Sequence, residues 1–167
     1  PVFIHMNTIA RFFTRLLDAL FPHFCVGCDA RGVLFCDKCL VDCPKAQPIS
    51  GDAHVHALWS YQHHGVKRAL WRFKYENARG FAAVFAPFLY EEIIAELGDH
   101  ADTPTHGKYL LVPMPLHPSR SRARGYNQSE LLTREIMNIA SEDIFEYAPT
   151  VLERIKKTRP QARSERR

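Results

Sequence analysis

Four cysteines, Cys25, Cys28, Cys36 and Cys39, are spaced C-x2-C-x7-C-x2-C, and this pattern constrains the head of the chain more than any other feature. A C-x2-C pair turns tightly enough to aim two thiolates at one point. Two such pairs complete a tetrahedral shell of four sulfurs, the arrangement zinc prefers. Four thiolates leave no position open for water, so the ion this implies is structural and not catalytic. A segment this short buries little apolar surface, and metal binding would supply most of its folding energy. Two disulfides, four unrelated buried thiols, or an iron–sulfur cluster held by the same thiolates are the alternatives. Cys43 is left over with no visible ligand partner, and His23 is a nearby substitute ligand.

The remainder of the chain must be modest in size. The 167 residues allow one medium domain, or a small module and an incomplete larger one. Apolar content of 46% and charged content of 24% are those of an ordinary globular protein. A formal net charge of +4 does not by itself imply nucleic acid. The charge is uneven, however: Leu152 to Arg167 holds seven Lys or Arg against Glu153 and Glu165. No apolar run reaches the roughly 20 residues of a membrane span. Arg11 and Arg15 interrupt the first apolar segment, which therefore does not read as a signal peptide. A cytoplasmic, reducing location is expected, where clustered cysteines more often bind metal than pair.

Periodicity divides the chain into an N-terminal helix and zinc module over residues 8–48 and an α/β part over residues 54–167. Ile9, Phe12, Phe13, Leu16, Leu17 and Leu20 mark one face of a helix over residues 8–21, which Pro22 ends. That helix would pack on its own protein or lie on a membrane surface. Val55, Ala57, Trp59 and Tyr61 alternate as in a half-buried strand. Val66, Leu70 and Phe73 recur at helical spacing and place Lys74 at that helix's end. Phe81 to Leu97 reads as a second helix, which Pro87 would kink or restart. Tyr109 to Val112 reads as a buried strand, ended by Pro113 and Pro115. A helix comes next from about Ser129 to Ala140, with Leu132, Ile136, Ile139 and Ala140 inward. Asn127 and Glu130 resemble a capping box at its start. Strands alternating with helices predict an α/β fold with a parallel sheet.

The stretch from Val112 to Gln128, VPMPLHPSRSRARGYNQ, is the most distinctive part of the chain. Arg120, Arg122 and Arg124 alternate, so an extended loop would project them to one side. Guanidinium groups gathered in that way suit phosphate or carboxylate; a solvated basic loop is the alternative.

Three stretches together resemble the ComF family of phosphoribosyltransferase-like proteins, which includes the GntX-type proteins. They are the helix running through Phe21-Pro22 into the four cysteines, the Val-Pro-Met-Pro-Leu-His-Pro segment with Arg-Gly-Tyr-Asn-Gln, and Leu152, Arg154, Thr158 and Gln161. Phe73-Lys74-Tyr75 matches too. The resemblance implies a type I phosphoribosyltransferase fold, in which a parallel sheet flanked by helices binds phosphoribosyl pyrophosphate with magnesium. Pyrophosphate is displaced there at the ribose anomeric carbon, helped by charge neutralisation. Lys74, Arg120, Arg122, Arg124, Asn127 and Gln128 become the candidates for phosphate or substrate. The resemblance also implies a link to DNA uptake in competence, or to use of external DNA.

One departure stands against activity. The family's strand ending in two acids, followed by a Thr-Thr-Gly loop for the ribose 5-phosphate, has no counterpart here. Neither Glu91-Glu92 nor Glu142-Asp143 precedes a Thr- or Gly-rich loop. The expectation is a C-terminally truncated chain, inactive alone, with magnesium and phosphoribosyl pyrophosphate bound only by the complete domain. The competing reading is a zinc-containing single-stranded nucleic-acid-binding or interaction module, using Trp59, Tyr61, Trp71 or Tyr126 for stacking. Those aromatics lie at strand or helix spacing, which favours a place in the core.

Overall fold

A computed structural model describes residues 22–47, 55–99, 107–140 and 144–158. The expected helix over residues 8–21, the acid pair Glu142-Asp143 and the basic run beyond residue 158 lie outside them. The chain divides into two compact units, Pro1–Trp71 and Arg72–Arg167.

In the first unit the chain makes a knuckle, a short helix and the start of a longer one. Phe24 and Arg31 form an antiparallel bridge across the first cysteine turn. The Gly32 amide donates to the His23 carbonyl (2.8 Å) and the Cys25 amide to the Ala30 carbonyl (2.9 Å). Asp29, at φ 59°, and Gly32, at φ 92°, take the left-handed conformations that close this turn. Helix α1 spans Asp37–Val41 and begins directly after Cys36. Val26, Phe35, Leu40 and Cys43 are buried.

The strand expected from Val55 to Tyr61 does not form. Trp59 makes one isolated antiparallel bridge to Lys45, and Val55, Ala57 and Tyr61 are exposed. Alternation alone does not make a strand where no neighbour supplies a ladder.

Helix α2 spans His64–Tyr75. Val66 and Phe73 are buried as the sequence predicts, Leu70 is half-buried, and Ala69 is buried with them. Asn77, at φ 54°, turns the chain out of the helix. The second unit is built on helix α3, Phe81–Asp99, which runs through Pro87. Its first turns bury Phe81, Ala82, Phe85 and Ala86, and Phe73 meets Phe85 edge-on at 6.2 Å.

Strands β1 (Tyr109–Leu111) and β2 (Phe145–Tyr147) pair in parallel, with Tyr109 opposite Phe145 and Leu110 opposite Glu146. The parallel pairing is as expected. Phe145 is buried against Tyr90 and Tyr109, whereas Leu110 and Glu146 are exposed.

Between the strands lie helices α4 (Pro118–Arg124) and α5 (Gln128–Ile139), and α5 packs along α3. Helix α4 corrects the sequence reading of an extended basic loop. The sequence does carry signals for it: His117 caps the helix by accepting from the Ser119 amide, Pro118 sits in the first turn, and Gly125 closes it at φ 76°. Helix α5 starts where the sequence places its cap, at Asn127. Asn127 accepts from the Ser129 amide (3.1 Å), while Glu130 pairs with Arg134 four residues on (2.9 Å). Its buried residues are Gln128, Thr133 and Ile136; of the predicted face Ile136 is buried, Leu132 and Ala140 are half-buried, and Ile139, in the last turn, is exposed.

Candidate functional site

The knuckle, the segment after it and helix α1 bring Cys25, Cys28, Cys36 and Cys39 together. All four sulfurs lie within 4.8 Å of one another. Cys36 Sγ is 3.6 Å from Cys25 Sγ and 3.7 Å from Cys28 Sγ. A tetrahedron with metal–sulfur bonds of about 2.3 Å has edges of about 3.8 Å, so these separations fit one ion at the centre. They are far too long for a disulfide, whose sulfurs sit about 2.05 Å apart, and all five cysteines are free thiols. They are also too short to enclose a multi-iron cluster. The four cysteines are therefore placed to hold a structural metal ion.

Local backbone prepares the site for negative charge. The Gly27 and Cys36 amides each point at Cys25 Sγ from 3.4 Å. Burial works against the Cys25 thiolate, but the amides of Cys36, Cys28 and Gly27 outweigh it and bring the thiol down to about 6. Cys39 moves the other way, pushed up chiefly by its neighbours Cys36 and Cys28. Four thiolates this close repel, and a divalent cation removes that repulsion. Cys25 is buried and Cys28 exposed, so one side of the cluster faces solvent.

Gly27 is required by space. A methyl group there would come within 2.7 Å of Cys39 Sγ and 2.8 Å of Cys39 Cβ. Gly27→Ala is expected to push a ligand off its position and weaken metal binding at least tenfold, read by competition with a chromogenic chelator. Unchanged affinity would show that the knuckle yields freely.

Neither spare candidate joins the cluster. His23 is exposed and contributes its carbonyl to the turn. Cys43 is buried, with its sulfur 3.2 Å from the Cys39 carbonyl and 3.5 Å from His63 Nδ1. Burial, and then Asp42, push its thiol up.

In the second unit the structure separates the six phosphate candidates. Arg124, at the end of α4, lies over the Tyr75 ring (5.3 Å), and its Nη1 donates to Gln128 Oε1 (2.9 Å). Lys74 is beside it: desolvation, and then the Arg124 charge, lower the Lys74 pKa although much of the side chain is exposed. Arg120 instead donates to the Thr158 carbonyl. Arg122 is exposed, and two residues along a helix carry it about 200° round from Arg120. The three arginines thus do not share one side.

Asn127 and Gln128 are engaged within the fold. Asn127 caps α5 and donates to the Met114 carbonyl (3.0 Å). Gln128 is buried, and its Nε2 donates to the Phe73 carbonyl (3.3 Å). The Tyr126 hydroxyl donates to that same carbonyl. Arg79 is absent from the candidates the sequence suggests. Its guanidinium lies 4.9 Å over the Tyr126 ring, and its Nη2 donates to the Gly125 carbonyl (3.5 Å). A lone arginine in a short connection carries no periodic signal that could reveal it.

Of the aromatics weighed for stacking, Tyr126 is buried, Trp59 is half-buried, and Tyr61 and Trp71 are exposed. Among the described residues, no helix is long and apolar enough to cross a membrane. No family model matches the chain, and no curated protein or solved structure matches it.

Proposed function

We propose that this chain is a ComF-type, phosphoribosyltransferase-related protein of the cytoplasm whose head is held together by one structural zinc ion. One observation carries the family reading. Phe73-Lys74-Tyr75 and Arg-Gly-Tyr-Asn-Gln, far apart in sequence, interlock: Tyr126 and Gln128 both donate to the Phe73 carbonyl. That hook sets Lys74 and Tyr75 beside Arg124. The most distinctive stretches of the resemblance therefore build one piece of structure, as parts of a single site should.

In this reading Lys74 and Arg124 face the phosphates of phosphoribosyl pyrophosphate, with magnesium as the accompanying ion in the complete domain. Asn127 and Gln128 position that pair, and Arg120 braces the segment ending at Thr158. The biological setting is DNA uptake or use of external DNA.

Zinc is the proposed ion because four thiolates in a tetrahedron suit it and need no redox chemistry. Exposed Tyr61, with the Lys67 ammonium 5.5 Å over its ring, and exposed Trp71 favour a second reading, a surface on which single-stranded nucleic acid stacks.

Titration of the complete domain with phosphoribosyl pyrophosphate separates the two. Binding that requires magnesium, and that Arg124→Ala weakens about tenfold with little loss of stability, is the expected result. Absence of such binding, together with oligothymidylate binding that falls steeply with salt, would move the chain to the second reading.

A further inference from the structure

Not every arginine of the second unit is paired with a carboxylate. Arg72 and Arg134 are neutralised by helical ion pairs, with Glu76 at 3.2 Å and Glu130 at 2.9 Å. Arg79 and Arg124 are held differently. Arg79 Nε donates to Asn77 Oδ1 (2.9 Å) and its Nη2 to the Gly125 carbonyl (3.5 Å). Arg124 Nη1 donates to Gln128 Oε1 (2.9 Å). These acceptors are amide or backbone oxygens, which orient a guanidinium without cancelling its charge. Among the described residues, neither arginine is ion-paired with a carboxylate, and neither is Lys74 beside Arg124.

We propose that Lys74, Arg79 and Arg124 form a binding site for a phosphoryl dianion, free or carried by a small molecule, with Arg79 as its third cation. The proposal rests on the phosphate-binding reading for Lys74 and Arg124. Arg79 is what the structure adds. Like charges gathered without a counter-ion oppose folding, and a bound dianion relieves that repulsion. Each guanidinium keeps N–H donors beyond those already used, in the fork that matches two phosphate oxygens. Tyr75 and Tyr126 supply aromatic faces beneath Arg124 and Arg79, which restrict how the forks can swing. Asn77, in its left-handed turn at φ 54°, keeps Arg79 next to Gly125.

A small dianion fits this arrangement better than a nucleic-acid strand. Arg79 is held at the carbonyl of Gly125, the residue after Arg124, and Arg124 lies over the ring of Tyr75, the residue after Lys74. A strand spreads single charges along its length and calls for a track of cations.

The test is a titration of the intact protein with inorganic phosphate at constant ionic strength, followed by calorimetry. Arg79→Gln is expected to weaken phosphate binding roughly tenfold, since it removes a charge-assisted contact. Arg79→Lys should lose less, and Arg122→Gln nothing. In the unaltered protein, phosphate should also slow modification of Arg79 by phenylglyoxal, a readout that needs no variant to fold. Equal phosphate affinity in Arg79→Gln, with no protection of Arg79, would overturn the proposal and leave magnesium-dependent binding of phosphoribosyl pyrophosphate to stand or fall by itself. No phosphate binding by the unaltered protein would overturn it as well. Salt-sensitive binding of oligothymidylate that Arg79→Gln weakens, with phosphate unable to compete, would assign the cluster to nucleic acid and overturn it.

Discussion

Chelation of the metal, or Cys39→Ser, is expected to unfold the head of the protein around residues 22–47 while the core of the Arg72–Arg167 unit persists. The head has few buried apolar side chains, Val26, Phe35 and Leu40 chief among them. Each contributes about 1.5–3 kcal/mol by burial, while ordering each residue of the segment costs about 1–2 kcal/mol. Burial alone cannot offset that. Structural zinc sites supply apparent binding energies of about 10–16 kcal/mol, more than the burial of these three side chains together. Loss of amide protection confined to the head, seen by hydrogen exchange after chelation, is the expected outcome. A head that keeps its protection without metal would make the cluster incidental.

The same site gives the effect of pH a sign. Cys25 is lowered to about 6 in the fold, against an ordinary thiol value of 9.0. Its contribution is therefore present above the unfolded value and lost as pH falls through about 6. Protons also compete with the metal for every thiolate. Acid should release the ion and unfold the head together.

Phe73→Ala is expected to destabilise the second unit by about 3–5 kcal/mol, the range for removing a buried aromatic side chain. Phe73 is 2% exposed, meets Phe85 edge-on and packs at a tilt on Tyr126, 6.0 Å between ring centres. Its carbonyl is also the acceptor that Tyr126 and Gln128 share. Collapse into the cavity would move Lys74 and Tyr75 relative to Arg124, so phosphate-ligand binding should weaken together with stability. Urea unfolding of the variant provides the check. A loss below about 1 kcal/mol would mean that the ring does not anchor this unit.

Different parts of this arrangement are legible in the sequence to different degrees. The cysteine centre is legible because ligand spacing is a local property of the chain, and the sulfurs meet as the spacing implies. The cap at Asn127 is legible for the same reason. Helix α4 is easily misread because alternating arginines suggest an extended chain, although Pro118 and Gly125 frame a helix. The segment from Val55 to Tyr61 alternates without becoming a strand, because pairing depends on a neighbour that local pattern cannot supply. The burial of Gln128 in α5 is not legible, because a polar residue is held inward there by a tertiary partner, the Phe73 carbonyl. Arg79 is invisible in the sequence because two of its partners, Gly125 and Tyr126, are brought to it by a tertiary contact.

The most direct test of the account is the metal content of the purified protein, with the metal's coordination read by X-ray absorption. One zinc ion per chain, bound by four sulfurs at about 2.3 Å, is the predicted result. Protein that folds with no metal, or with disulfides among Cys25, Cys28, Cys36 and Cys39, would contradict it.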